Sequence, residues 1–217
     1  MQSNIDRNIE KTIVPEPCLR RLPWYLAYAN LALARGEKAL SSTQIARGVG
    51  VDASVVAKDL SYVAVTGRTR VGYDTDELVR YLEDFLGFSR SHKAFLFGVG
   101  KLGGALLQDR GLERYGLDIV VGFDSKYELS GTSINRTPIH HLSRFGELQD
   151  LMHVEIGVLT VPVEAAQATA ELLVEHGIKA IWNFTPARIQ VPENVVVQNT
   201  SIYAHLALMY NRMEAEQ

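Results

Sequence analysis

The chain has 217 residues, of which 47% are hydrophobic and 22% charged, a balance that allows a buried core and excludes a mainly disordered protein. Its single cysteine excludes an internal disulfide and a cysteine-rich zinc site, and no apolar run approaches the roughly 18 residues of a membrane span. The net charge of −3 hides an asymmetry: residues 20–73 hold eight basic and three acidic residues, whereas residues 93–217 hold ten and fourteen. The polar N-terminus lacks a signal-peptide core, so we expect a soluble cytoplasmic protein whose two parts have different partners.

The first part of the chain has the pattern of a winged helix. Apolar residues recur at helical spacing over 18–35, and Ser41 to Gln44 has the spacing of a capping box that opens a short second helix. Asp52 is expected to cap a third helix over 53–63. Two short helices joined by a tight turn match a helix-turn-helix, and the basic, glycine-bracketed segment 66–73 is typical of a wing.

Side chains on the third helix and the wing predict DNA binding. The second helix of a helix-turn-helix enters the major groove, where Lys58 would contact phosphate or guanine. Arg68 and Arg70 would follow the backbone or enter a narrow minor groove. The residues predicted to contact DNA are Ser42, Ser54, Lys58, Ser61, Tyr62, Arg68, Arg70 and Tyr73. The alternative is a winged helix that contacts protein, with these charges simply solvated.

Beyond a linker over 89–92, short apolar runs alternate with helical patterns. The candidate strands are 94–97, 119–121, 156–159, 180–182 and 195–197. Continuously apolar strands of this kind are typical of a parallel sheet covered on both faces. We therefore predict an α/β fold with an N-terminal winged helix-turn-helix domain (1–88), the linker, a Rossmann-like doubly wound parallel sheet (93–200) and a C-terminal helix (201–217).

A glycine-rich loop follows the first of these strands. Gly98, Gly100 and Gly103 have the spacing that makes a tight turn, lets the backbone approach a pyrophosphate and lets the next helix pack on the strand. Asp124 ends the second strand, where a carboxylate binds the adenosine ribose and repels a 2′-phosphate. This favours NAD(H) over NADP(H), although Lys126 would weaken the discrimination. The alternative is the adenylate- or CoA-binding variant of this fold.

The later strand ends carry mostly apolar or neutral residues, whereas a dehydrogenase needs a proton donor or acceptor beside the substrate carbonyl. Tyr203 and His205 follow the last strand, in what we interpret as a buried or interface helix. His140 and His141 are adjacent, precede a polar surface helix and lack metal-ligand spacing. We expect nucleotide binding without turnover and no metal site. The alternatives are an NAD-dependent dehydrogenase with an accessory winged helix, and a nucleotide-binding module whose winged helix contacts protein.

In order and spacing, several motifs over about residues 14–210 resemble the Rex family of redox-sensing transcriptional repressors. These motifs are Arg20-Arg21-Leu22-Pro23, Lys58-Asp59-Leu60-Ser61-Tyr62, Val71-Gly72-Tyr73, the glycine loop, Thr160-Val161-Pro162, Ala165-Ala166-Gln167, Gly177-Ile178-Lys179 and Asn183-Phe184-Thr185-Pro186-Ala187-Arg188. The resemblance implies a homodimer that exchanges its C-terminal helix, and competition of NADH and NAD for one site per subunit, with NADH releasing operator DNA. With the glycine loop, it predicts a cofactor site of Gly98, Val99, Gly100, Lys101, Leu102, Gly103, Asp124, Lys126, Thr160, Val161, Pro162 and Asn183.

Several positions depart from the family's pattern. In Rex proteins an arginine of the first helix, a tyrosine after the glycine-loop helix and an aspartate after the last strand form a polar link that relays the cofactor's redox state. The aligned residues here are Ala27, Asp109 and Ser201. We therefore predict that the link is absent and that NADH shifts operator affinity less than about a hundredfold. The recognition helix also has one basic residue, Lys58, where the family has two, so a different operator preference is expected.

Overall fold

The computed structural model of the chain describes residues 14–63, 65–68 and 71–215. These residues form two compact units that divide between Arg90 and Ser91. Each unit has its own hydrophobic core. Within the described ranges, no helix is both long and apolar enough to cross a bilayer.

The first unit is a winged helix. Its helices are α1 (Glu16–Ala34), α2 (Ser42–Val49), α3 (Ala53–Ser61) and α4 (Thr75–Phe85), and its short antiparallel strands are β1 (Ala39–Leu40) and β2 (Tyr73–Asp74). All four helices contribute to one core, whose fully buried side chains include Leu22, Leu26, Ile45, Leu60 and Leu78. The wing closes through a backbone bridge between Arg68 and Gly72.

Capping residues in the sequence set the ends of the helices in the helix-turn-helix. The Ser41 side chain accepts from the Gln44 backbone N–H, and the Gln44 side chain accepts from the Ser41 N–H, which completes the predicted capping box. Gly50 ends α2 in the left-handed region at φ 73°. Asp52 precedes α3 as expected, but its side chain caps no backbone group, and α3 ends at Ser61 rather than at residue 63.

The second unit is built on one seven-stranded sheet. The strands are β3 (His92–Phe97), β4 (Leu117–Asp124), β5 (Ser133–Ile134), β6 (Thr137–His141), β7 (Ile156–Leu159), β8 (Ala180–Asn183) and β9 (Val196–Asn199). Their order is β5-β6-β4-β3-β7-β8-β9, and every pair is parallel except β5 with β6. Without the β5 edge this is the strand order of a dinucleotide-binding sheet, with its switch point between β3 and β7.

Helices and 3-10 turns lie between these strands and after the last one. The helices are α5 (Lys101–Gln108), α6 (Gly111–Arg114), α7 (Phe145–Met152), α8 (Ala166–Glu175) and α9 (Ile202–Ala215), and the turns are Tyr127–Leu129, Leu142–Arg144 and Val163–Ala165. The rings of Phe95, Phe97, Phe123 and Phe145 pack together in the core, with the Phe97 and Phe123 rings stacked at 5.2 Å. This cluster supports the ends of β3 and β4, where the glycine loop begins.

Two strands of the second unit, β5 and β6, are absent from the set that the sequence predicted. His140 and His141 are the last residues of strand β6, and a 3-10 turn and helix α7 follow them. In β6 only Ile139 is buried, so the continuous apolar run that marks the predicted strands is missing. No residue of α9, including Tyr203 and His205, is buried within the single chain, so of the two interpretations of this helix the interface helix remains.

Candidate nucleotide cavity and DNA-contacting surface

A cavity of about 360 Å³ opens at the carboxyl ends of the three central strands. Its lining comes from the residues that follow β3, β4 and β7, with contributions from the turn after β6 and from α8. The lining residues are Phe97, Gly98, Gly100, Phe123, Asp124, Ser125, Lys126, Leu142, Thr160, Val161, Pro162, Ala165 and Thr169. Open α/β sheets bind their ligands at this edge, at the switch point of the strand order.

The glycine loop has the close packing that its spacing predicts. Gly98 adopts a φ of +94°, and a Cβ on it would lie 2.8 Å from the backbone of Thr160. A Cβ on Gly103 would lie 2.1 Å from the Gly98 carbonyl oxygen, whereas a Cβ on Gly100 would meet nothing within 4 Å. The first and third glycines therefore let the chain and α5 pack closely, and the second leaves open space beside the cavity.

Asp124 is fixed at the edge of this cavity by the backbone. Its Oδ2 accepts a hydrogen bond from the Val99 N–H at 2.7 Å, and its Oδ1 accepts one from the Lys126 N–H at 2.9 Å. The carboxylate thus joins the glycine loop to the end of β4. Each carboxylate oxygen has further lone pairs, so the group can still accept hydrogen bonds from a ligand.

Seven of the twelve predicted cofactor residues line the cavity: Gly98, Gly100, Asp124, Lys126, Thr160, Val161 and Pro162. Two more lie outside the lining but shape the cavity. The Val99 N–H holds the Asp124 carboxylate, and Gly103 lets α5 pack closely on the glycine loop. Lys101 and Leu102 are exposed in the first turn of α5, outside the lining.

Asn183 is not brought to the cavity. Its side chain is completely buried at the end of β8, where Nδ2 donates to the carbonyl of Ala187 and to Asn199 Oδ1, at 2.8 and 2.9 Å. Its Oδ1 accepts from the backbone and the hydroxyl of Thr185. The amide is therefore fully used in holding the loop after β8 to β9.

Sequence reasoning missed several lining residues, among them Ser125, Leu142, Ala165 and Thr169. Ser125 directly follows Asp124, so its place at a strand end was the available signal. Leu142 had no such signal, because strand β6 ahead of it was not predicted. Ala165 and Thr169 face the cavity from the start of α8, which depends on how that helix packs on the sheet.

The first unit presents polar residues on α3 and beside the wing. Ser54, Lys58 and Ser61 are exposed, but the Ser61 hydroxyl donates to the Lys58 carbonyl at 2.6 Å, and Tyr62 is half-buried. Arg68 is exposed on the wing, and Arg70 lies outside the described residues. Ser42 and Tyr73 lie across a shallow depression between the start of α2 and the wing, with their hydroxyls 3.5 Å apart.

A buried ionic cluster ties α3 to α1. The carboxylate of Asp59 accepts two hydrogen bonds from the Arg21 guanidinium and a third from the Tyr25 hydroxyl at 2.7 Å. Burial opposes ionisation of Asp59, but hydrogen bonds from Arg21, Tyr25 and Cys18 outweigh it, so the pKa of Asp59 is held below its ordinary value. The sequence contained these residues in its motifs, but no local pattern indicated that they meet.

The three positions of the family's polar link carry no charged network here. Ala27 is exposed on α1. Asp109 ends α5 and accepts from the Gly111 N–H at 3.1 Å, and the Ser201 hydroxyl accepts from the Ala204 N–H at 3.2 Å. Both oxygens therefore bond to their own local backbone. Among the described residues, no group of His, Cys, Asp and Glu is arranged to hold a metal ion.

Comparison with known proteins identifies relatives along nearly the whole chain. Residues 13–61 match the family described as "Putative DNA-binding protein N-terminus", and residues 89–187 match "CoA binding domain". The redox-sensing transcriptional repressor Rex of Bacteroides thetaiotaomicron is 58% identical over 207 residues, covering 95% of this chain and 94% of the relative. The Rex repressor of Porphyromonas gingivalis is 61% identical over 204 residues, covering 94% of each.

Solved structures of a related repressor have the same fold. RSP in complex with beta-NAD+ and operator DNA superposes with a TM-score of 0.89 at 32% identity, covering 94% of each chain. RSP in complex with beta-NADH superposes with a TM-score of 0.84 at 31% identity, covering 94% of this chain and 96% of that one. RSP is described as a Rex-family repressor.

Proposed function

Because the chain belongs to the Rex family of redox-sensing transcriptional repressors, we propose that NADH and NAD compete for the cavity of its second unit, and that NADH releases operator DNA from its first. The protein is a DNA-binding repressor and not an enzyme, and the dehydrogenase alternative is not favoured. Its cofactors are NADH and NAD, the two nucleotides bound in the RSP structures.

The anchored Asp124 carboxylate is the observation that carries the cofactor assignment. It lies beside a glycine loop whose close-packed backbone leaves room for a pyrophosphate at the start of α5, where the N–H groups of the first turn have no helical partner. A carboxylate fixed at this position binds ribose hydroxyls and repels a 2′-phosphate. The residues present therefore fit NAD(H), and they bind the cofactor without reacting with it.

The cysteine does not supply the redox response. Cys18 is 1% exposed in the core of the first unit. Burial, together with the nearby Asp59, raises the pKa of its thiol to about 11. A buried thiol of this kind holds almost no thiolate at neutral pH and is inert to oxidants. The redox signal is therefore the bound nucleotide.

We assign the DNA-binding domain to residues 1–88, the linker to 89–92, the NAD(H)-binding domain to 93–200 and the dimerisation helix to 201–217. The separate cores and the division between Arg90 and Ser91 support the first boundary. The loop after β9 and the start of α9 at Ile202 support the last one.

We infer a homodimer in which α9 packs on a second copy of the chain. The helix exposes seven large apolar side chains in the single chain: Ile202, Tyr203, Leu206, Leu208, Met209, Tyr210 and Met213. An apolar surface of this extent marks an interface. A short helix also gains most of its stability from packing. Exchange of α9 between subunits would bury this surface.

Double-stranded operator DNA is the proposed partner of the first unit. Exposed Lys58 on α3 and Arg68 on the wing supply cations for phosphates and base edges, and a twofold dimer would place two copies of α3 on an inverted repeat. A repressor acts where the chromosome lies, so we place the protein in the cytoplasm.

Fluorescence anisotropy on a labelled inverted-repeat operator tests this function. We expect the full-length protein to bind the DNA with no nucleotide or with NAD, and to bind it more weakly in NADH. NADPH is the control, and it should have little effect because Asp124 repels the 2′-phosphate. Equal operator affinity in NAD and NADH would contradict a redox-sensing role, and steady NADH oxidation with a small carbonyl compound would restore the dehydrogenase alternative.

A further inference from the structure

His141 lies directly beside the ribose-binding carboxylate in the sheet. It is the last residue of β6, and its partner in the parallel register with β4 is Asp124. The next residue, Leu142, lines the cavity. His141 therefore connects two strand ends that both form the wall of the nucleotide site.

Both ring nitrogens of His141 bond to the loops that leave these strands. Nε2 lies 3.2 Å from the carbonyl oxygen of Ser125, and Nδ1 lies 2.8 Å from the Ser143 hydroxyl and 3.2 Å from the Ser143 backbone nitrogen. A carbonyl oxygen only accepts, so Nε2 carries the proton, and the Ser143 N–H requires Nδ1 to accept. The arrangement selects the neutral imidazole with its proton on Nε2.

The bond to Ser125 acts on the loop that carries the ribose ligand. Ser125 lies between Asp124 and Lys126, and the Lys126 N–H donates to Asp124 Oδ1. All three residues line the cavity. Holding the Ser125 carbonyl therefore fixes the backbone from which the carboxylate and its second N–H donor both project.

Tyr127 covers the imidazole from solvent. Its ring stacks on His141 with 3.8 Å between the centroids and 11° between the planes, although Tyr127 itself is 73% exposed. The His141 imidazole is thus held by hydrogen bonds at both ring nitrogens and by the Tyr127 ring stacked on one face. This is more support than a surface histidine needs for solubility alone.

We propose that His141 is a positioning residue for the adenosine half of the cofactor site, acting in its neutral form through the Ser125 carbonyl. The inference rests on the proposed NAD(H) function of the cavity. His141 does not line the cavity itself, and it acts through its hydrogen bond to Ser125, which does.

The test measures ADP-ribose and NAD binding to the full-length protein by calorimetry, because ADP-ribose contains the adenosine half without the nicotinamide. His141→Phe keeps the aromatic stack but removes both hydrogen bonds, and we expect it to weaken ADP-ribose binding roughly tenfold at pH 7.5. His141→Gln keeps a donor for the Ser125 carbonyl, and we expect it to restore most of the affinity. His140→Phe, on the adjacent residue, is the matched control and should behave as the natural protein does.

The outcomes separate this inference from the proposed function. If the natural protein binds neither ADP-ribose nor NAD, the proposed function fails and the inference fails with it. If the natural protein binds both, unchanged affinity in His141→Phe would overturn the inference alone. An ADP-ribose affinity of His141→Gln as low as that of His141→Phe would also overturn it, because the Gln side chain still offers a donor to the Ser125 carbonyl.

Discussion

Arg21 of α1 and Asp59 of α3 form a two-point ion pair in the first unit, with Nε 2.6 Å from Oδ2 and a terminal guanidinium nitrogen 2.9 Å from Oδ1. The Asp59 side chain is 4% exposed and that of Arg21 is 24% exposed. Asp59 directly follows Lys58, which faces outward on the helix proposed to enter DNA. The pair therefore fixes the rotation of α3 about its axis while leaving the Lys58 side free.

Replacing Arg21 with alanine leaves a buried carboxylate without its cation. We expect the free energy of unfolding to fall by about 3 kcal/mol, as for other buried pairs that lose one partner. Urea unfolding at pH 7 measures this. Arg20→Ala is the matched control, because Arg20 pairs with Glu16 at 2.6 Å on the exposed side of the same helix and its loss should cost less than about 1 kcal/mol. Similar losses in both variants would contradict a special role for the buried pair.

Acid should weaken the same cluster. The pKa of Asp59 is lower in the folded protein than in the unfolded chain, so its carboxylate stabilises the fold above about pH 4 and this contribution is lost as the pH falls further. Asp59→Asn removes the titrating group. The difference in unfolding free energy between the natural protein and this variant should therefore shrink between pH 6 and pH 3. A constant difference would show that Asp59 does not titrate with folding.

Asp124→Ala tests the ribose assignment. The variant loses the carboxylate that we propose to bind the ribose hydroxyls and leaves the Val99 N–H without its acceptor, so NADH affinity should fall by about 1–3 kcal/mol. Isothermal titration with NADH measures the change. Asp118→Ala, near the opposite end of the same strand, is the control and should bind NADH as the natural protein does. Unchanged affinity in Asp124→Ala would move the ribose elsewhere.

Lys58→Ala tests the DNA-contacting surface, and Arg70→Ala, outside the described residues, tests the wing. Each should weaken operator binding, and the loss of one phosphate contact should reduce the slope of log affinity against log salt by about one unit. Nucleotide affinity should not change, because neither residue lies in the second unit. Lys93→Ala in β3 removes an exposed cation from that unit and serves as a charge-matched control. Normal operator binding in both test variants would revive the protein-contact interpretation of the winged helix.

The coupling between the two functions should be modest. With Ala27, Asp109 and Ser201 at the positions of the family's polar link, NADH should shift operator affinity by less than about a hundredfold relative to NAD, since coupling then depends on other differences between the free and DNA-bound states. Operator affinities in saturating NADH and in saturating NAD, at one salt concentration, measure this. A much larger shift would show that other residues, such as Arg110 or Tyr203, rebuild the link. No shift would leave a DNA-binding protein that holds its cofactor for structure alone.

Several features of the fold were predicted from short local patterns in the sequence. The capping box at Ser41 and the glycine spacing from Gly98 to Gly103 depend on residues that are three to five positions apart, and backbone geometry at that range is nearly independent of the rest of the fold. The parallel sheet was visible because strands buried on both faces are continuously apolar. Strand β6 has only one fully buried residue, Ile139, so its pattern was too weak to predict.

The partners of polar side chains were decided only by the tertiary structure. Arg21 meets Asp59 across 38 positions of sequence, and His141 lies beside Asp124 because β6 and β4 pair in one particular register. Asn183 was predicted at the cofactor from the resemblance to the family, yet its amide is completely buried against Asn199. Sequence spacing determines which face of a strand or helix a residue occupies. The group that this face meets depends on the packing of segments distant in sequence, and a short local pattern does not contain that information.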